Sequence, residues 1–446
     1  MTILKSFRLS ALALACGATL SAHAADYVLQ AASWGAKQDA AVAAAGGAVR
    51  FSHASGLAVV SSDKADFLAQ ALRGGAINSG AADAVITQAP VRVVDADASQ
   101  AVSGTPNDTF YPFVQWAPQS VSAPAAWVAG YTGRGVRVAV IDGGVYGAHP
   151  DLVANIDAAA ARSFATGSVC ATQWNCDTGT FWHGTHVSGI IAAPANGIGV
   201  VGIAPEATVV PVKALHNGGG SFGSVIQSIM YAATEGRADI INMSLGAVFN
   251  RGGRDAAELT SALNRAVNFA SAQGTLVISS AGNDGWDIDH TGNVIVTPAQ
   301  SGNGLAVSAT GPYGFGYGAD NFSRFASYSN WGNSLVSLAG PGGDFAWPTN
   351  ENCTKTTATG APITRPCWVF DMVLSTSRAG YSWAAGTSMS APAVAAVAAL
   401  IKQKNPGISV GALKNKLMNS AVDTGKPGHD PYYGRGYVNA AQAIAD

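Results

Sequence analysis

The chain is expected to fold as an α/β protein, a doubly wound and mostly parallel sheet preceded by a small α+β unit of βαββαβ order. Three observations predict this. From about residue 111, short continuous apolar runs alternate with longer helical stretches, the pattern of a parallel sheet covered by helices on both faces. Residues 26–105 follow another rhythm, two short helices among four extended segments. Between them, residues 95–107 are rich in Asp, Ser, Gly and Pro and read as a linker. The boundaries are therefore set at 1–25, 26–107 and 108–446.

A length of 446 residues is enough for more than one folding unit. With 48% hydrophobic residues, 12% charged and 53 glycines, the chain reads as globular and rich in turns. A net charge of −2 supplies no basic field, so neither nucleic acid nor an anionic membrane is an expected partner. Lys5 and Arg8, an apolar run over 9–20 and the small-x-small Ala22-His23-Ala24 read as an export signal, which makes the chain a secreted one. The apolar run is too short to span a bilayer. Lipid attachment at Cys16 is an alternative, weakened by Ala13 where leucine is usual.

In chain order, strands are expected over 26–31, 49–52 and 57–61, helices over 36–45 and 63–72, and a last extended segment over 85–94. The second unit opens with a buried strand over 136–141. Further strands are expected over 208–213, 240–243, 276–279, 305–309 and 335–338. Helices are expected over 187–193, 223–235, 258–273 and 391–404, with a turn and short closing helix over 432–445. Residues 340–380 break the alternation and read as a surface loop or hairpin. Loss of the signal leaves Cys170, Cys176, Cys353 and Cys367, an even number in an exported chain. Three pairings are open. The sequence-local one, Cys170–Cys176 and Cys353–Cys367, is expected because each pair brackets one loop-like segment. Such a short-loop bridge adds roughly 2–3 kcal/mol. A zinc site from Cys170, Cys176, His183 and His186 is the rival, and its spacing fits no common pattern.

Four short stretches carry the chemistry. Gly386-Thr387-Ser388-Met389-Ser390-Ala391-Pro392 puts a serine at the mouth of a helix, where backbone N–H groups are unpaired and the dipole favours an anion. Alone, Ser388 reads as an ordinary N-cap. The strand over 136–141 ends in Asp142, at the edge where parallel sheets place their sites. His183-Gly184-Thr185-His186 opens another helix, with His183 the better placed of the two histidines. Ser279-Ser280-Ala281-Gly282-Asn283 follows a further strand and offers an amide N–H from Asn283. Together they supply what acyl transfer needs: Ser388 as nucleophile, His183 as base, Asp142 to orient it, and Asn283 with the Ser388 N–H as oxyanion donors.

These stretches resemble the three signature segments of the subtilisin-like serine proteases, in that family's order of Asp, His and Ser. The resemblance runs from about residue 111 to the end. It implies a doubly wound sheet of subtilisin type and a serine endopeptidase acting on proteins and peptides. It implies that residues 26–107 are a prodomain, an intramolecular chaperone and transient inhibitor that is cut off somewhere between about Gln88 and Asp108. Gly218, Gly219 and Gly220 match one edge of the family's substrate cleft, and Ser244, Leu245 and Gly246 the other. Ala281 and Gly282 are placed in the same cleft. A structural calcium is implied at Asp151 and Asn196, with carbonyls of Pro194, Ile198 and Val200. The glutamine the family often contributes to that site has no counterpart, because Gln115 is out of register. Ala393 stands where the family usually has histidine, a change in helix packing and not in the triad. A monomer is expected. The floor of the pocket for the residue before the cleaved bond falls after Asn283, where Asp287 or Asp289 is a candidate for favouring basic substrates. Two rival functions fit the sequence less well. An esterase elbow at Ser244 lacks its first glycine, and a catalytically silent binding protein has no positive support, since all four catalytic residue types are present.

Overall fold

The computed structural model describes residues 24–88, 91–96 and 108–445. The export signal with Cys16, and most of the expected processing region, lie outside the described residues.

Among the described residues, eight strands form the central sheet. Its order is Arg324–Phe325, Leu305–Gly311, Leu276–Ser280, Ile240–Met243, Arg137–Asp142, Thr208–Lys213 and Arg162–Ser163, and Leu338–Pro341 also pairs with Leu305–Gly311. All pairings are parallel except that of Arg324–Phe325. Strand periodicity explains why both faces are covered. Val138 and Val140 join the core under helices His183–Ala192 and Thr387–Lys404. Ala139 and Ile141 point the other way, toward helices Phe222–Ala233 and Arg254–Ala272. No helix among the described residues is long and apolar enough to cross a membrane.

Residues 25–82 form an antiparallel four-stranded sheet in the order Gly47–His53, Leu57–Ser62, Ala25–Gln30, Ser79–Ala82. One face buries Leu29 and Val60 beneath helices Ala36–Ala44 and Phe67–Arg73, with Phe67 of the second helix packed into the same core. Val28, Leu57 and Ala81 on the other face join the core of helices Phe222–Ala233 and Arg254–Ala272. The expected last extended segment over 85–94 does not close this sheet. Ser79–Ala82 does, pairing antiparallel with Ala25–Gln30; Gly80 suits the tight seat there, where a Cβ would lie 2.4 Å from Leu29. The chain then leaves the sheet as two separate strands, Val85–Thr87 and Arg92–Ala96.

Residues 340–380 contain the hairpin Asn352–Thr356/Pro362–Pro366 and a 3₁₀ turn, Cys367–Asp371. Cys353–Cys367 ties the two together, and Cys170–Cys176 closes the other loop, both as expected. The paired thiols leave no cysteine for the rival zinc set. The strand expected over 335–338 lies instead at Leu338–Pro341.

Candidate active site

Asp142 is the last residue of its strand and is fully buried. His183 is the first residue of its helix, four residues earlier than the apolar pattern begins. The preceding residue, Trp182, has φ of +43°, a conformation that a bulky side chain adopts only when its surroundings impose it. Gly184 allows a close approach behind it, since a Cβ there would lie a tight 3.0 Å from the Gly144 carbonyl and 3.2 Å from Asp142 Oδ1. His183 Nδ1 lies 2.9 Å from both Asp142 oxygens. The carboxylate thus fixes the tautomer, with the proton on Nδ1. His183 Nε2 is buried and has no hydrogen-bond partner among the described residues. A neutral imidazole held in this way can accept a proton at Nε2. His186 differs: burial pushes it down to about 3 and its Nε2 donates to the Ser382 carbonyl at 2.9 Å, so it stays neutral and structural.

Ser388 is the second residue of helix Thr387–Lys404, inside the first turn and not its cap. Its Oγ donates to the Ser244 carbonyl at a long 3.4 Å, while Ser244 Oγ donates to the Ser388 carbonyl at 2.8 Å. Asn283 lines the same cleft, and its Oδ1 accepts from Thr387 N and Thr387 Oγ1, both at 2.8 Å. This turns the amide so that Nδ2 faces away from Thr387. Gly282, at φ +98°, passes so close to Asn330 that a Cβ would lie 2.4 Å from its Nδ2. Gly282 lines the cleft, whereas Ala281 is buried beneath it in an apolar cluster.

The chain's own segment lies in this cleft. Val85–Thr87 pairs antiparallel with Gly219–Ser221, and Thr87 exchanges hydrogen bonds of 3.1 and 2.8 Å with Gly246. Gln88 N donates to the Gly218 carbonyl at 3.1 Å, and its Oε1 accepts from Gly143 N, next to Asp142. Of the residues expected at the cleft edges, Gly218 to Gly220 lie on one side of this extended segment, and Gly246 meets it on the other through a single bridge. The cavity around it, about 380 Å³, is lined by Ser244, Gly246, Asn283, Val296 and Ser388 among others. Asp287 and Asp289 do not line it. Asp287 pairs with His290 at 2.7 Å, and Asp289 accepts from Asn333 N and Ser334 N. Val296 faces the cavity instead.

Asp108, missed from the sequence, stands by the expected metal residues. Its Oδ1 accepts from Asn196 N and Gly197 N, and Asp151 Oδ2 accepts from Val200 N. Asp108 Oδ2 and Asp151 Oδ1 are buried without a hydrogen-bond partner among the described residues. Burial pushes Asp151 up to about 8, against the hydrogen bond from Val200, and raises Asp108. Among the described residues no three His, Cys, Asp or Glu side chains cluster as a metal site, so any cation here would draw on amide and carbonyl oxygens as well. Gln115 is spent on Val201, donating to its carbonyl and accepting from its N–H. Asp177, also missed, accepts from Gly144 N at 2.8 Å beside fully buried Lys213, and so braces the turn after Asp142 from the Cys170–Cys176 loop.

The sequence profile of the subtilase family matches residues 133–436. Subtilisin Savinase of Lederbergia lenta is 36% identical over 331 residues, 74% of this chain and 98% of that protein. Thermitase of Thermoactinomyces vulgaris is 31% identical over 76% of this chain and 99% of its own. Among solved structures, a protease from Pseudoalteromonas arctica superposes with a TM-score of 0.58 at 30% identity, over 76% of this chain and 99% of that one. Fervidolysin of Fervidobacterium pennivorans shares the fold over 96% of this chain and 62% of its own, with a TM-score of 0.70 at 21% identity. A doubly wound sheet with Asp, His and Ser converging at its carboxyl edge in that chain order, together with these matches, makes the chain a member of the subtilase family, a serine endopeptidase.

Proposed function

We propose that the protein is exported as a zymogen and hydrolyses peptide bonds through an acyl-enzyme on Ser388. The observation that carries this reading is His183, held by Asp142 with Nε2 buried and unpaired among the described residues, at the strand edge where Ser388 lines a cleft beside an extended segment. Ser388 Oγ attacks the carbonyl carbon as its proton passes to His183 Nε2. Asp142 stabilises the imidazolium, and Asn283 Nδ2 with the Ser388 N–H receives the oxyanion. Collapse of the tetrahedral species returns the proton to the leaving amine, and water repeats the sequence to release the acid. Cleavage of a denatured protein by the purified chain and by Ser388→Ala tests the reading; equal cleavage would overturn it.

Residues 26–107 act as chaperone and inhibitor, removed by a cut between Gln88 and Asp108. The pairing of Thr87 with Gly246 supports this, since it fills the strand position a substrate would take. The mature enzyme is a secreted monomer. The cavity with Val296 on its wall suits small apolar side chains before the cleaved bond. Val296→Gly is expected to raise kcat/KM for phenylalanine peptides relative to alanine peptides, by roughly tenfold for the apolar surface newly buried. An unchanged ratio in a peptide panel would count against Val296.

Asp108, Asp151 and Asn196 side chains with the Pro194, Ile198 and Val200 carbonyls form an oxygen donor set that fits calcium. The two unpaired buried carboxylate oxygens are the observation that supports it. When bound, the ion would supply the positive charge that these carboxyls lack. It would tie the start of the peptidase unit to the loop that follows the His183 helix. Free calcium at a thousandfold excess over Kd adds about 4 kcal/mol to stability. Chelation is therefore expected to lower the melting temperature of the wild type, and Asp108→Asn to shrink that drop. A melting temperature indifferent to chelator would remove calcium from the account.

A further inference from the structure

The insertion over residues 340–380 has no part in the reaction derived above, yet it touches the segment that threads the cleft. Beyond the cleft, Val91 N donates to the Ala385 carbonyl at 2.8 Å. Arg92–Ala96 then runs antiparallel to Gly380–Ala385, in the register Arg92 with Ala385 through Ala96 with Tyr381. The other edge of Gly380–Ala385 is already paired with Val373–Ser377. Arg92–Ala96 therefore covers the single open edge of a buried strand that leads directly to Ser388. Once that segment is gone, the edge presents a row of unpaired backbone groups, a template for another strand.

The side chains give the template a chemical preference. The Arg92 guanidinium lies 4.3 Å from the Trp368 ring centroid and 5.9 Å from that of Phe345. Both aromatics belong to the insertion. Trp368 follows Cys367 of the second disulfide, and its indole N–H donates to Asn350 Oδ1 at 3.1 Å, so the ring is held in place. A planar cation stacked on such a ring is attracted by its negative face. Ser382 Oγ donates to Asp95 Oδ1 at 2.8 Å, three residues further along. The seat is shallow: Arg92, Val93 and Asp95 remain exposed, as suits a strand that can be exchanged.

We infer that the insertion builds a docking strip for the downstream half of protein substrates, with an aromatic subsite for an arginine or lysine, and that Arg92–Ala96 occupies it in the precursor. This rests on the reading of Ser388 as the nucleophile. Thr87 and Val91 hold the two sides of the serine, so the cationic position is the second to fourth residue after the cleaved bond.

The test uses the enzyme that the full chain yields on expression, with internally quenched peptides sharing one upstream half. One series lengthens the downstream half from one residue to seven. The other keeps seven and moves a single arginine through positions two, three and four in an alanine background. The expected result is kcat/KM that rises with length, plus an arginine gain of about two- to fivefold at one position. In Trp368→Ala the arginine-to-alanine ratio is expected to fall to about one. No gain from length or arginine, or a ratio untouched by Trp368→Ala, overturns the inference. An anilide substrate with nothing downstream reads the Ser388 chemistry separately, so failure of the nucleophile would appear there first. Amide exchange needs no turnover: in full-length Ser388→Ala, Arg92–Ala96 should exchange faster once Trp368→Ala is added, and unchanged exchange would also overturn the strip.

Discussion

Replacing Ser388 by alanine is expected to lower peptide hydrolysis about 10⁶-fold, a size carried over from the same replacement in subtilisin, a relative. At about 1.4 kcal/mol per decade, this asks some 8 kcal/mol of one hydroxyl. No single hydrogen bond supplies that much, so the loss must be the loss of a route. Without Oγ there is no acyl-enzyme, and His183 has no proton to accept. The fold should survive, because Ser388 is 3% exposed, its Oγ makes only a long contact to Ser244, and alanine fills the same space. His183→Ala should cost as much, and the double variant little more, because the two residues act as a unit. Additive losses would mean separate roles and would break the proposed triad. Uncut precursor should accumulate in Ser388→Ala where maturation is the enzyme's own work. Normal maturation would show that another protease makes the cut.

The features legible in the sequence were those fixed locally. Strands over 208–213 and 240–243 coincide with the structure because a run of apolar residues between turns has few alternatives. The three residues of the proposed triad stand out in the sequence because Asp142, His183 and Ser388 each sit at an element's end beside small residues that let chain segments approach. The disulfides were legible because each closes a short loop. What escaped depends on contacts between distant segments. The Ser79–Ala82 strand has a composition poor in strand formers, and it is set by its pairing with the distant Ala25–Gln30, against which only Gly80 fits tightly beside Leu29. The His183 helix begins ahead of its apolar run because burial on all sides erases the periodicity that would mark its start. Helix Val410–Asn419 lies outside the expected elements, although Val410, Leu413 and Leu417 keep helical spacing. Asp108 sits at the end of a linker-like run and looks like any turn aspartate until the 194–200 loop is folded against it.

Asn283→Ala is expected to lower kcat about 10²–10³-fold with little change in KM, the size known for the matching asparagine of subtilisin and not a value calculated for this chain. The amide acts only when the carbonyl carbon becomes tetrahedral and its oxygen gains charge, so ground-state binding should hardly notice it. Thr387 separates this account from a merely structural one. Its N–H and hydroxyl both hold Asn283 Oδ1, and its hydroxyl oxygen also accepts from Gly282 N at 3.1 Å. Thr387→Val keeps the shape and the backbone N–H but removes the hydroxyl, which loosens the amide without removing it. A net hydrogen bond of about 1 kcal/mol corresponds to roughly a fivefold loss, well short of that for Asn283→Ala. If Asn283 were only a packing residue, both variants would raise KM and lower the melting temperature together. If it is an oxyanion donor, kcat falls steeply in one, mildly in the other, and the melting temperature does not follow the kcat loss.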